Sequence, residues 1–225
     1  SQLFRDQRGP ALTDAAPYTT TGVFITLHSF ADQVILPWNY TTAFNAPNDA
    51  GLRALAFRMS HYNGYRTGQS GEILYSTSGS TDDFTYGELG IPSYTFEMGP
   101  GSGGCAGFTP PYSCQAGFWN ENLGALLYMA KSARQPYATS FGPTPVSVST
   151  TPAVTGTQVR VTFNDNALGT NGIDRPASQI VVSAELYLDA PPWAGGTPMT
   201  MTLADGAANS TTEAFVATVQ FDACD

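Results

Sequence analysis

Gly22-Val23-Phe24-Ile25-Thr26-Leu27-His28-Ser29 is an apolar run that opens after a Thr/Gly turn and closes on polar residues. Its length and near-continuous apolar character read as a buried strand. Working outward, Gln33-Val34-Ile35-Leu36 is a second short strand, stopped by Pro37. Asn48 then caps a helix in which Leu52, Leu55, Ala56 and Met59 recur at i, i+3, i+4 and i+7, ending near Asn63-Gly64. Glu72-Ile73-Leu74-Tyr75 reads as a short strand leading into the polar loop 76–79, and Ser93-Tyr94-Thr95-Phe96-Glu97-Met98 as a third clear strand. A helix over about 118–134 carries Trp119, Leu123, Leu126, Leu127 and Ala130 on one face, with Lys131 and Arg134 near its C-terminus. Strands alternating with helices predict an α/β domain with a covered sheet.

The 225 residues allow one large domain or two smaller ones, and the composition shifts part-way. Residues 1–142 hold 7 Lys+Arg and 10 Asp+Glu, whereas 143–225 hold 2 and 8. The change coincides with a Pro/Gly-punctuated stretch near 138–145, which predicts a domain over 1–140 and a second over 143–225. In the second, alternating segments at 146–149, 158–163, 179–188, 199–203 and 214–221 predict an all-β immunoglobulin- or fibronectin-III-like sandwich, incomplete at its end.

Charge excludes whole classes of function. A net charge of −9 with only 9 Lys+Arg argues against nucleic acid, whose phosphates need basic stripes, and against a peripheral membrane role. No run reaches the ~18 apolar residues of a membrane span. Cys105 and Cys114 flank a loop holding Gly107, Pro110 and Pro111, a candidate disulfide that points to export. Cys224 either pairs beyond Asp225 or stays a buried thiol. Residues 1–6 have no n-region or h-region, which leaves a cytoplasmic or an already processed chain; with the cysteines, we expect a secreted or periplasmic protein. Gly99-Pro100-Gly101-Ser102-Gly103-Gly104 satisfies G-x-G-x-x-G, but Cys105, Pro110 and Pro111 follow it instead of a helix that could hold a pyrophosphate.

Working residues of α/β sheets cluster where strands end, and two stand there. His28 ends one apolar strand, and Glu97 is a carboxylate where the pattern expects Val or Ile. The segments Ile25-Thr26-Leu27-His28-Ser29-Phe30, then Tyr75-Ser76-Thr77-Ser78-Gly79, then Thr95-Phe96-Glu97 resemble zinc carboxypeptidases of the funnelin (M14) family, and more narrowly its bacterial carboxypeptidase T-like branch. The order of the motifs and the 22-residue interval from Tyr75 to Glu97 are the family's. The resemblance covers roughly 1–137, the C-terminal half of a catalytic domain, part of a mixed-sheet α/β fold.

The resemblance implies roles. His28 would be one zinc ligand, and Glu97 the general base for a zinc-activated water that hydrolyses the C-terminal peptide bond. Tyr75 would be a mobile phenol closing on the substrate's terminal carboxylate. Ser29 and Phe30 would line subsites before the scissile bond, where the family usually has Tyr in place of Phe30. Asp82 would lie at the floor of the pocket for the last side chain, favouring Lys or Arg, with Asp83 structural. The family's His-x-x-Glu zinc pair and its upstream arginines have no counterpart here, so the expectation is a fragment needing upstream ligands from the missing N-terminal part, inactive by itself. Its partners would be peptide or protein C-termini, and its cofactor one Zn2+. A reading of another class stands beside it: a non-catalytic binding or adhesion protein with a degenerate peptidase domain.

Overall fold

The computed structural model describes residues 6–220, so Cys224 lies outside the described residues. They form two compact units. The first takes the chain up to Gly142 together with Leu168–Pro176; the second takes Pro143–Ala167 and the chain from Ala177 onward. The sequence reading runs the second domain unbroken from 143, whereas nine of those residues pack with the first unit.

In the first unit, β1 (Phe24–His28) and β2 (Gln33–Leu36) precede α1 (Asp49–Asn63), β3 (Arg66–Gln69), α2 (Ser70–Ile73), α3 (Thr81–Leu89), β4 (Ser93–Glu97), α4 (Gln115–Ser132) and α5 (Pro136–Thr139). The sheet order is β1-β4-β2-β3: β1 runs parallel to β4 and β2 to β3, while β2 and β4 are antiparallel. This is the mixed sheet that the family resemblance implied. Because side chains alternate along a strand, each strand divides its residues between two faces. Val34, Leu36, Tyr94 and Phe96 go to one face and join Leu52, Leu55 and Met59 of α1 and Ala125, Tyr128 and Met129 of α4 in a single core. Burying each large side chain contributes roughly 1.5–3 kcal/mol, so this face carries the stability of the sheet. Thr26, His28, Ile35, Thr95 and Glu97 go to the other face.

Three local expectations need correction. The strand expected at 72–75 is instead the single helical turn α2, and the strand lies just before it, at Arg66–Gln69. Gln69 and Glu72 close a capping box that starts the turn, and Glu72 takes a two-point bond from the Arg53 guanidinium at 3.0 and 3.1 Å. Asn48 makes no side-chain cap on α1. Its amide instead pairs with the backbone of Ala16, accepting at 2.8 Å and donating at 2.9 Å. Finally, α3 follows the polar loop where no element was expected. Asp82 and Asp83 occupy its first turn, and Gly90, in the left-handed region at φ 73°, closes it.

The nine-residue return segment is tied to β3. Thr67 donates its N–H to the Asn171 carbonyl at 3.1 Å and accepts from the Ile173 N–H at 2.9 Å. Arg53 adds a bond to the Ile173 carbonyl at 3.1 Å. Gly172, at φ 151°, lies so close that a Cβ there would stand 2.5 Å from the Thr67 carbonyl oxygen. The segment thus covers the β3 edge of the sheet.

The second unit has β5 (Thr144–Ala153), β6 (Gly156–Asn164), β7 (Ala184–Leu186), β8 (Met199–Leu203) and β9 (Thr212–Val219). Each overlaps a segment expected to be a strand. All five join one antiparallel sheet in the order β5-β6-β9-β8-β7, and the described residues contain no second layer. Val161, Phe215 and Met201 share one apolar face, covered by Val181, with Val159, Phe163 and Leu203 packed around them. No described helix is long and apolar enough to cross a membrane.

Candidate active site

The β1–β4 register sets His28 directly opposite Glu97, at the C-terminal ends of two parallel strands. Their side chains share a face, and His28 Nδ1 lies 3.8 Å from Glu97 Oε1. The imidazole is half exposed, whereas the carboxylate is nearly buried. His28 Nε2 is 3.1 Å from Thr26 Oγ1, two residues back on the same face, which fixes the ring's tilt. Burial pushes the Glu97 pKa up, and the neighbouring His28 pulls it partly back.

The pair borders a cavity of about 130 Å³ whose lining also includes Ile35, Asn39, Ser70, Leu74, Tyr75, Thr77, Ser80 and Thr95. Tyr75 stands 66% exposed at the cavity mouth, just past α2. Eight of the ten lining residues are polar or titratable, an arrangement suited to a polar ligand.

Of the residues expected to work together, His28, Glu97 and Tyr75 converge on this cavity. Ser29 and Phe30 do not line it; they follow β1, and the Phe30 ring meets Phe108 edge-on at 5.1 Å. Phe108 belongs to the loop closed by the Cys105–Cys114 disulfide, which is formed. Asp82 is fully buried and is not itself part of the lining. Asn39, which is, donates its Nδ2 to Asp82 at 2.7 Å. Asp83 accepts the Asn39 backbone N–H at 2.9 and 3.0 Å.

Sequence reasoning missed Asn39, Ile35, Ser70 and Thr95. Strand parity could have found two of them: Thr95 lies two residues before Glu97, and Ile35 pairs with Thr95 in the sheet. Asn39 carries no local signal. Among the described residues no three His, Cys, Asp or Glu side chains gather where they could hold a metal ion. A catalytic zinc wants three protein ligands, so the residues present do not by themselves fit it.

The zinc carboxypeptidase domain model matches residues 10–125, just over half of the chain and the whole of the His28–Glu97 site. The chain belongs to the zinc carboxypeptidase family. Carboxypeptidase O of Bos taurus is 34% identical over 122 residues, covering 51% of this chain and 31% of the relative. A zinc carboxypeptidase of Saccharothrix mutabilis subsp. capreolus is 39% identical over 88 residues, covering 37% and 20%. A solved structure of bovine thrombin-activatable fibrinolysis inhibitor in complex with tick carboxypeptidase inhibitor overlaps 49% of this chain and 39% of its own, with 26% identity and a TM-score of 0.44. The chain therefore spans less than a third of the length of those two curated relatives.

Proposed function

We propose that this chain is the C-terminal half of the catalytic domain of a metallocarboxypeptidase that removes the last residue of peptides, with preference for Lys or Arg. The observation that carries the reading is the in-register pair of His28 and Glu97 beside a cavity that also holds Tyr75. In the family a zinc ion supplies the Lewis acid. Here His28 would offer it one ligand, and the others would come from a polypeptide portion carrying the His-x-x-Glu pair.

The chain's own residues supply the proton and binding chemistry. Glu97 would take a proton from the attacking water and return it to the departing amine nitrogen. A carboxyl with a raised pKa suits both halves of that shuttle. Tyr75, exposed and free to swing, would donate its phenolic hydrogen to the substrate's terminal carboxylate. The Cys105–Cys114 disulfide supports a secreted or periplasmic setting.

Surface features support a missing complement. Among the described residues β1 is an edge strand, and Leu27 on it is 51% exposed. Beside it Leu27, Met98, Phe118, Trp119 and Leu126 line an apolar hollow of about 270 Å³. An open edge beside an apolar hollow is ordinarily covered.

Dialysis against micromolar zinc, followed by metal analysis, tests the proposal. The chain alone should retain none. Assembled with the upstream portion of a zinc carboxypeptidase domain, it should retain one zinc per complex, lose it with His28→Ala, and release C-terminal Arg from peptides. An assembly that forms but neither holds zinc nor cleaves would favour the non-catalytic binding protein, a reading supported by the incomplete ligand set.

A further inference from the structure

A second hollow, of about 360 Å³, adjoins the catalytic cavity and shares only Ser80 with its lining. One wall of it is α3. Asp83 and Gly87, and Phe84 and Glu88, are pairs four residues apart, so one side of the helix faces the hollow. Phe84 is 64% exposed, and Leu12 and Tyr40 of the lining are exposed as well. Gly87 matters for what it lacks. A Cβ there would stand 3.3 Å from the Trp38 ring, so the glycine leaves the indole as part of the lining. The Trp38 and Tyr40 rings lie 5.6 Å apart, and together they make an aromatic wall.

The charge in this hollow has one sign. It holds two carboxylates, Asp83 and Glu88, and no Lys, Arg or His lines it. Asp83 already faces three donors, the N–H groups of Asn39 and Tyr40 and the Ser80 hydroxyl, all of them neutral. A carboxylate offers about four acceptor positions, which leaves room for another donor. Burial disfavours the ionised form of Asp83, and the neighbouring Asp82 disfavours it further. A cation in the hollow would offset both effects. An aromatic and aliphatic rim beside a carboxylate suits a long side chain with a charged tip. Its stem can lie along Leu12 and Phe84 while its head meets Asp83 and the Tyr40 ring. The net charge of −9 draws basic polypeptides toward the chain.

We propose that this hollow is a second binding site, outside the catalytic cavity, for a Lys or Arg side chain within a basic polypeptide segment. The cationic head pairs with Asp83 and Glu88, and the stem packs on Phe84 and Leu12. A segment held there is recognised by an internal residue and needs no free C-terminus. The site therefore stands apart from the carboxypeptidase reading, and either can fail without the other.

The test is a titration of this chain at pH 7 with acetyl-Gly-Arg-Gly-amide and its neutral twin acetyl-Gly-Gln-Gly-amide. NMR follows the Gly87 amide and the Trp38 indole N–H. The amidated end denies the probe the terminal carboxylate that a carboxypeptidase cavity would hold. The Arg peptide should bind about tenfold tighter or better and shift both signals. Asp83→Asn, which keeps an acceptor for the Asn39 N–H, should bring it down to the affinity of the twin, whereas a merely structural loss would weaken both peptides alike. Phe84→Ala, at an exposed position, should weaken the Arg peptide severalfold. Ionised Asp83 is the binding form, so lowering the pH from 7 to 5 should cost the unaltered chain about tenfold in affinity and leave Asp83→Asn little changed. Should Asp83→Asn fail to fold, that pH dependence carries the test. Equal affinities for the two peptides, or no saturable shift of either signal, would overturn the proposal. So would an Arg preference retained in Asp83→Asn, or displacement of the Arg peptide by a neutral methyl glucoside.

Discussion

Asp83 shows how a single side chain can load a fold with charge. Burial pushes its pKa up to about 6, against the Asn39 N–H that favours the ionised form, and Asp82 beside it adds to the rise. An unfolded Asp titrates near ~3.9, so between that value and about 6 the folded state holds the extra proton. Stability contributed by this group therefore falls as pH rises through that window, and the penalty is complete above it. Asp83→Asn, which keeps an acceptor for the Asn39 N–H, should gain on the unaltered chain by about 1–2 kcal/mol between pH 4 and pH 7, after allowance for partial exposure. Thermal unfolding of both proteins across that range checks it, and a gap independent of pH would refute the assignment. At this scale the sequence was half legible. Glu97 stood out because a carboxylate interrupts an apolar strand, and His28 because it ends one. Asn39 was invisible, since its partner Asp82 lies 43 residues away.

Elements are joined here by a buried cation. Arg53 on α1 bonds Asp49 one turn back at 3.0 Å, Glu72 on α2, and the Ile173 carbonyl. Its guanidinium is almost wholly buried, so removing it strands two carboxylates beside each other. Arg53→Ala should cost about 3–5 kcal/mol, read as a lowered urea midpoint. The same network explains why 72–75 misled a local reading. Glu-Ile-Leu-Tyr fits a strand as well as a turn, and the bond to Arg53, 19 residues earlier, decides it. Where a segment's partners are its own neighbours, as along α4 and the hairpin of β5 and β6, the pattern was sufficient. In the loop from Cys105 to Cys114, reduction of the disulfide should lower stability by about 2–3 kcal/mol, checked by unfolding with and without reductant.

For the whole molecule, the alternation of strands and helices gave an α/β domain with a covered sheet, the family resemblance implied that the sheet is mixed, and the turn signals gave the five strands of the second unit. They could not show that those five form one sheet, because strand order is set by pairings far apart in sequence. Nor could they show that Leu168–Pro176 returns to the first unit, since nothing in Gly169–Asp174 announces β3 as its partner. Gly172→Ala tests that return: its Cβ would collide with the Thr67 backbone, and amide exchange at Thr67 and Ile173 should quicken by at least tenfold while that of β8 and β9 is unchanged. The route of the chain also bears on the order in which the protein is made. A ribosome that has delivered Gly142 has supplied the sheet and its helices but not the cover of β3, nor the carbonyl that completes the Arg53 cluster. Those are complete only with residue 176, 34 residues later, after two whole strands of the second unit, β5 and β6, have been synthesised. The N-terminal unit therefore cannot be finished first, and its open edge must stay out of trouble while its neighbour is still being threaded.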